Sequence, residues 1–198
     1  VLREGTFSLG YDPGLANIGL ALRDSNGTLV KTLHVKTEMA GQSKKDDDWV
    51  YREHEALQQL IGFVEGYPIG IMVAEGPSFA SFGATISILQ IQCVTGFILG
   101  LMAGRGIEIA VSSPSTLKKI ITGKGNMPKK GVLATLRKKY NDETKPHKYT
   151  EHELEAAEMA QIGMGLEFFE EANQFVYSNE HVTRIVLQRC RGIITLNW

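Results

Sequence analysis

The sequence predicts a mixed α/β fold: a five-stranded sheet, three antiparallel strands then two parallel ones, flanked by helices. Three observations carry this. Residues 6–35 fall into short alternating apolar runs broken by Pro13-Gly14 and Ser25-Asn26-Gly27, as in a meander. Residues 68–74 and 107–111 are short and continuously apolar, the pattern of strands buried on both faces. Helical periodicity separates and follows these runs, so helices must cover both faces of the sheet.

The elements follow in order. Residues 6–12, 17–23 and 28–35 are three strands of an antiparallel meander. Residues 36–47, with their K-K-D-D-D run, form a solvated loop. Asp48 can cap a helix to about Glu65 whose apolar side includes Leu57, Leu60, Ile61 and Val64. Residues 68–74 form a buried strand, expected to lie parallel to the first and to end at Glu75. A helix spans 81–105, and 107–111 is the fifth strand. Helices over 114–121 and 128–140 each carry Pro in the first turn. Thr150 opens another helix, with Glu153 completing a capping box. Residues 182–196 fit helix or strand equally. Domain organisation is therefore one domain over 1–169 and a C-terminal extension over 170–198.

The chain has 198 residues, 43% hydrophobic and 22% charged, which excludes disorder and coiled coil. Two distant cysteines, Cys93 and Cys190, suit a reducing compartment and exclude a disulfide framework or zinc cage. The first residues contain no apolar signal segment, so a cytoplasmic, non-secreted protein is expected. Net charge is -1, but its distribution is uneven. Residues 109–141 contain no Asp or Glu and eight basic residues, including Lys118, Lys119, Lys124, Lys129 and Lys130; outside them 13 basic residues face 22 acidic ones. Such a patch is a candidate footprint for a phosphate backbone.

Residues 76–104 contain no charged residue and no histidine. Polar Gln90, Gln92 and Thr95, and the strand just before, argue against a membrane span. A helix apolar all round needs a cover on both sides. The sheet supplies one, and a second copy of the chain would supply the other. A homodimer through 81–105 follows, with Gly96, Gly100 and Gly104 permitting close backbone approach.

Four carboxylates are the candidate chemistry. Asp12 and Glu75 each end a strand, and parallel strands would bring both to one sheet edge, where open α/β sheets place their sites. Glu155 and Glu158 are spaced i, i+3 on one helix. Carboxylates gathered this closely repel unless cations lie between them, and oxygen donors suit Mg²⁺ or Mn²⁺. Two such ions per site would hydrolyse a phosphodiester. His152, beside the glutamate pair, reads as a solvated histidine.

L-G-Y-D-P-G-L-A-N-I-G-L-A-L, V-A-E-G-P-S-F, P-S-T-L-K-K-I-I-T-G-K-G and E-A-A-E-M-A resemble, in order, the motifs of RuvC-type Holliday junction resolvases of the RNase H-like superfamily. The resemblance covers roughly 6–166. It implies an RNase H-like fold and a homodimeric endonuclease that nicks four-way or other branched DNA in recombination and repair. It further implies that Asp12, Glu75, Glu155 and Glu158 hold the metals and that Lys118 lies near the scissile phosphate. Lys129 matches a second functional lysine, and Phe79 or Phe82 the aromatic wedge at the strand-exchange point. Lys119, Lys124 and Lys130 belong to the same DNA-facing stretch. Glu at both helix positions, where the family usually has Asp at one or both, suits a phage-encoded resolvase.

Competing readings are a nuclease on RNA–DNA hybrids or flaps and a junction-binding protein weakened in catalysis. An actin-like sugar kinase shares the opening motif but needs a second copy of the fold, for which 198 residues leave no room.

Overall fold

The computed structural model describes residues 2–38, 48–76, 85–140, 148–169, 174–179 and 182–190. The strands are β1 (Phe7–Asp12), β2 (Asn17–Arg23), β3 (Leu29–Lys36), β4 (Ile69–Glu75), β5 (Glu108–Ser112), β6 (Leu166–Phe169), β7 (Gln174–Asn179) and β8 (Val182–Cys190). The helices are α1 (Asp48–Val64), α2 (Thr85–Gly104), α3 (Pro114–Thr122), α4 (Lys129–Tyr140) and α5 (Glu151–Met164).

The expected five strands are present: β1, β2 and β3 pair antiparallel, β4 lies parallel to β1, and β5 parallel to β4. The sheet continues beyond them in the order β3-β2-β1-β4-β5-β8-β7-β6. The C-terminal segment, open between helix and strand in the sequence, therefore forms strands, with β8 antiparallel on the free edge of β5. That edge would otherwise present unpaired backbone groups. The expected helix start at residues 81–84 lies outside the described residues.

Strand alternation sorts the two faces. Leu9 and Tyr11 of β1, Leu20 and Leu22 of β2, and Met72 and Ala74 of β4 pack with Leu60, Phe63, Val94, Ile98 and Met102 of α1 and α2. On the opposite face Ile71 and Val73 of β4 and Ala110 of β5 pack with Leu117, Ile120, Met159 and Ile162 of α3 and α5. Gly10, Asp12 and Glu75 have the parity of this second face.

Helix α5 lies unusually close to the sheet. A Cβ at Gly10 would run into the Ala156 carbonyl, and one at Gly19 into the His152 carbonyl. Ala156, Ala157 and Ala160 form the small-residue contact with Ala21 of β2. This approach brings the first turns of α5 against the carboxyl end of β1. Among the described residues no helix is long and apolar enough to cross a membrane.

Candidate active site

The parallel register pairs Tyr11 with Ala74, so Asp12 and Glu75 end adjacent strands at the same edge. Local chemistry sets the start of α5. The Thr150 hydroxyl accepts from the Glu153 backbone N–H at 3.3 Å, and the Thr150 N–H donates to Glu153 Oε2 at 2.8 Å, a complete capping box. The Thr32 hydroxyl of β3 donates to Glu153 Oε1 at 2.7 Å, tying the helix start to the sheet. With its origin and depth fixed, α5 presents His152 and Glu155 to Asp12.

His152 Nδ1 lies 2.7 Å from Asp12 Oδ2. Its ring packs against that of His34 at 5.2 Å, and His34 Nε2 lies 3.0 Å from Asn17 Oδ1. One ligand atom from each of Asp12, His152 and Glu155 falls within 4.8 Å of the others. These three share a cavity of about 310 Å³ with Glu75, Glu158, Lys118 and Lys129, backed by Leu117, Ile121 and Val132.

The cavity is electrostatically crowded. Burial, followed by the charges of Asp12 and Glu155, pushes the Glu75 carboxyl up to about 7, against the smaller pull of Lys118 and Lys129. Burial, followed by Asp12, pushes Glu155 up to about 7 as well, although Lys129 and His152 oppose it. The hydrogen bond that His152 donates to Asp12 raises the His152 pKa despite burial. Burial works to lower the Lys129 pKa, but its hydrogen bond with Glu151 and the carboxylates beyond raise it overall. That bond, 2.7 Å long, in turn lowers the Glu151 pKa. Closely set oxygen and imidazole donors that resist becoming anionic together fit a divalent cation.

Three of the raised groups act on stability with one sign across neutral pH. Glu75, Glu155 and His152 hold protons more tightly in the folded than in the unfolded chain, so their contribution is largest at low pH and is lost as pH rises through the folded values. In a chelator, the protein is expected to lose a few kcal/mol of unfolding free energy between about pH 5 and pH 8. Mn²⁺ added at pH 7.5 should restore it. Denaturant titrations across that range check both effects; a flat profile would contradict them.

The structure brings together most of the residues singled out in the sequence. Asp12, Glu75, Glu155, Glu158, Lys118 and Lys129 line one cavity. Lys119, Lys124 and Lys130 are exposed and are not among its lining residues. Phe79 and Phe82 lie outside the described residues. Two placements differ from expectation. His152, read as solvated, sits half-buried against Asp12; its i, i+3 spacing from Glu155 was the available signal. Glu158 directs its carboxylate to Lys139 and Tyr140.

A parallel strand pair inside a mixed sheet, with carboxylates at both strand ends and on a helix pressed against them, defines an RNase H-like protein. The family model for Crossover junction endodeoxyribonuclease RuvC matches residues 8–156, and the chain belongs to that family. It is 30% identical over 141 residues to a crossover junction endodeoxyribonuclease RuvC of Prochlorococcus marinus strain MIT 9301, covering 71% of this chain and 85% of that protein. The strain MIT 9312 protein of the same description is 30% identical over 125 residues, 63% of this chain and 76% of that one. Among solved structures, Thermus thermophilus RuvC aligns with a TM-score of 0.60 at 17% identity, over 79% of this chain and 92% of that chain. Thermus thermophilus RuvC in complex with Holliday junction substrate aligns with a TM-score of 0.58 at 14% identity, over 79% and 90%. At these identities the two structures establish likeness of fold.

Proposed function

We propose that this chain is a divalent-cation-dependent endonuclease that resolves Holliday junctions and other branched DNA by paired symmetric nicks. The observation that carries this reading is the convergence of Asp12, His152 and Glu155, with Glu75 beside them, in a cavity flanked by Lys118 and Lys129. Its support from outside the chain is membership of the RuvC family and the related fold bound to a Holliday junction.

Asp12, His152 and Glu155 would hold one cation, and Asp12 with Glu75 a second. The imidazole nitrogen among oxygen donors favours Mn²⁺ over Mg²⁺. When bound, the cations would supply Lewis acidity for attack by water on the phosphodiester and for departure of the leaving oxygen. The protein's own groups orient the reaction. Asp12 and the His34 ring hold the His152 imidazole in place, and the apolar wall of Leu117, Ile121 and Val132 limits water. Lys118 and Lys129 attract the scissile phosphate. Lys119, Lys124 and Lys130 lie in the exposed basic stretch, where they would contact flanking phosphates. Phe79 or Phe82 would wedge at the exchange point. Residues 1–169 would form the nuclease domain and 170–198 an accessory extension. With DNA as substrate, the enzyme would work in the bacterial cytoplasm.

Symmetric nicking calls for two sites related by a two-fold axis. Helix α2 carries no charged residue. Val94, Ile98 and Met102 are buried on the sheet, while Leu89, Cys93, Gly96, Phe97 and Gly100 are exposed along one stripe. A second copy packed on that stripe would complete the enzyme as a homodimer.

A supercoiled plasmid that extrudes a cruciform tests the reading. Paired nicking converts it directly to linear product when Mn²⁺ or Mg²⁺ is present; accumulation of nicked circles alone, or no cutting, would contradict paired resolution. Charge reversal at both Lys129 and Lys130 should weaken binding to every junction sequence alike. It should flatten the log–log salt dependence by roughly 0.9 for each phosphate that is no longer neutralised. An unchanged slope, measured by fluorescence anisotropy, would place α4 away from DNA.

A further inference from the structure

Glu158 is 4% exposed, and both of its carboxylate oxygens accept hydrogen bonds. Lys139 Nζ donates to Oε1 at 2.9 Å and to Oε2 at 2.7 Å, and the Tyr140 hydroxyl donates to Oε2 at 2.7 Å. The Tyr140 oxygen accepts from Arg23 Nη2 at 3.0 Å. Arg23 is buried on β2; its Nη1 donates to the Gly27 carbonyl at 2.6 Å and its Nε to the Ala157 carbonyl at 3.3 Å. Burial, and then the Glu158 charge, push the Tyr140 hydroxyl well above its ordinary range, which keeps it a neutral donor. Two cations, one carboxylate and one phenol thus close a network across β2, α4 and α5.

This network adds to one small apolar cluster, in which Val132 and Leu136 of α4 pack with Leu154 of α5 and Ile121 of α3. Only Val132 and Leu136 of α4 are buried. Lys130, Arg137 and Lys138 are exposed, and Lys129 at the first turn lines the cavity. The helix is tied to α5 at both ends, by Lys129 to Glu151 and by Lys139 and Tyr140 to Glu158. The ends are about 15 Å apart at the helical rise. The rotation of α5 explains the division of labour. Each step of three residues turns about 60° back around the axis, so Glu158 stands about 120° from His152. His152 and Glu155 therefore meet Asp12, whereas Glu158 meets α4.

We infer that Glu158 is a positioning residue that anchors the C-terminal end of α4 to α5 and so aligns the basic face of α4, with Lys129 at the cavity, for DNA phosphates. A cation at Glu158 would compete with Lys139 and Tyr140 for the carboxylate, and breaking the charge pair would leave Lys139 unmatched. The inference rests on the proposed reading that α4 faces DNA.

Two binding constants test it: Mn²⁺ affinity of the intact protein by calorimetry, and affinity for a synthetic four-way junction in chelator by anisotropy. Glu158→Gln keeps the shape and loses the charge. It should bind Mn²⁺ within about twofold of wild type, whereas Glu155→Gln should lose at least about tenfold. The junction dissociation constant of Glu158→Gln should rise by about tenfold. Lys139→Met, at a half-exposed site that should not unfold the chain, is expected to match that rise, and the double variant should add little to either alone. Loss of Mn²⁺ in Glu158→Gln as severe as in Glu155→Gln would make Glu158 a ligand and overturn the inference. So would an unchanged junction affinity, or additive effects of the two substitutions. Wild-type protein that binds junctions without cutting them would overturn the nuclease reading instead, and both constants would still decide the role of Glu158.

Discussion

Asp12→Asn is expected to cut four-way junctions at least about a thousandfold more slowly than wild type while binding them within about twofold. The carboxylate ends β1 where β4 and α5 both deliver donors, with His152 2.7 Å away. Asn preserves volume and leaves the fold intact, but it removes the charge shared by Glu155, Glu75 and the proposed cations. A factor of a thousand corresponds to about 4 kcal/mol, within the several kcal/mol that a lost Lewis-acid position costs. The exposed lysines that grip flanking phosphates are untouched, which is why affinity should hold. Single-turnover cleavage and anisotropy on the same junction separate the two effects. An Asp12→Asn protein within about tenfold of the wild-type rate would remove Asp12 from the catalytic centre.

Phe97→Glu and Gly100→Arg are expected to turn the protein into a monomer that makes single nicks at best. Phe97 is 51% exposed and the space beyond Gly100 is open, so neither change removes a fully buried side chain among the described residues. In a dimer each would bury an uncompensated charge at a cost of about 3–5 kcal/mol. That raises the dimer dissociation constant by at least about two orders of magnitude. Sedimentation velocity gives the mass, and the cruciform plasmid distinguishes nicked circles from linear DNA. A wild-type monomer at micromolar concentration that linearises the plasmid would contradict the proposed dimer.

Much of the fold was legible because its signals are local. Pro13-Gly14 and the Ser25-Asn26-Gly27 turn delimit the meander, and the short apolar runs before Glu75 and Ser112 read as strands buried on both faces. Thr150 and Glu153 announce α5 to the residue. The C-terminal strands were not legible because Val182, Ile185, Val186 and Cys190 also satisfy helical spacing. Pairing of β8 with β5 is a long-range fact that no short window contains. The site divides the same way. Asp12, Glu75 and Glu155 follow from strand ends and a helix motif. The rotation of α5 is set by close approach at Gly10 and Gly19 and by the Thr32–Glu153 bond, none of which is local in sequence. That rotation is what brings His152 against Asp12 and sets the Glu158 carboxylate, at the cavity's edge, against Lys139 and Tyr140.

If the cavity at Asp12, His152, Glu155 and Glu75 is a metal-dependent junction nuclease, its substrate and metal requirements can be read in one experiment. A synthetic four-way junction, labelled in turn on each strand, is incubated with wild-type protein and Mn²⁺, Mg²⁺ or chelator, beside linear duplex, a flap and an RNA–DNA hybrid. Paired cuts at symmetry-related positions in two opposing strands, with Mn²⁺ at least as effective as Mg²⁺, no cutting in chelator and little on the other substrates, is the predicted result. Cutting that survives the chelator, cutting of the hybrid or flap as fast as the junction, or a junction left intact under every metal would contradict it.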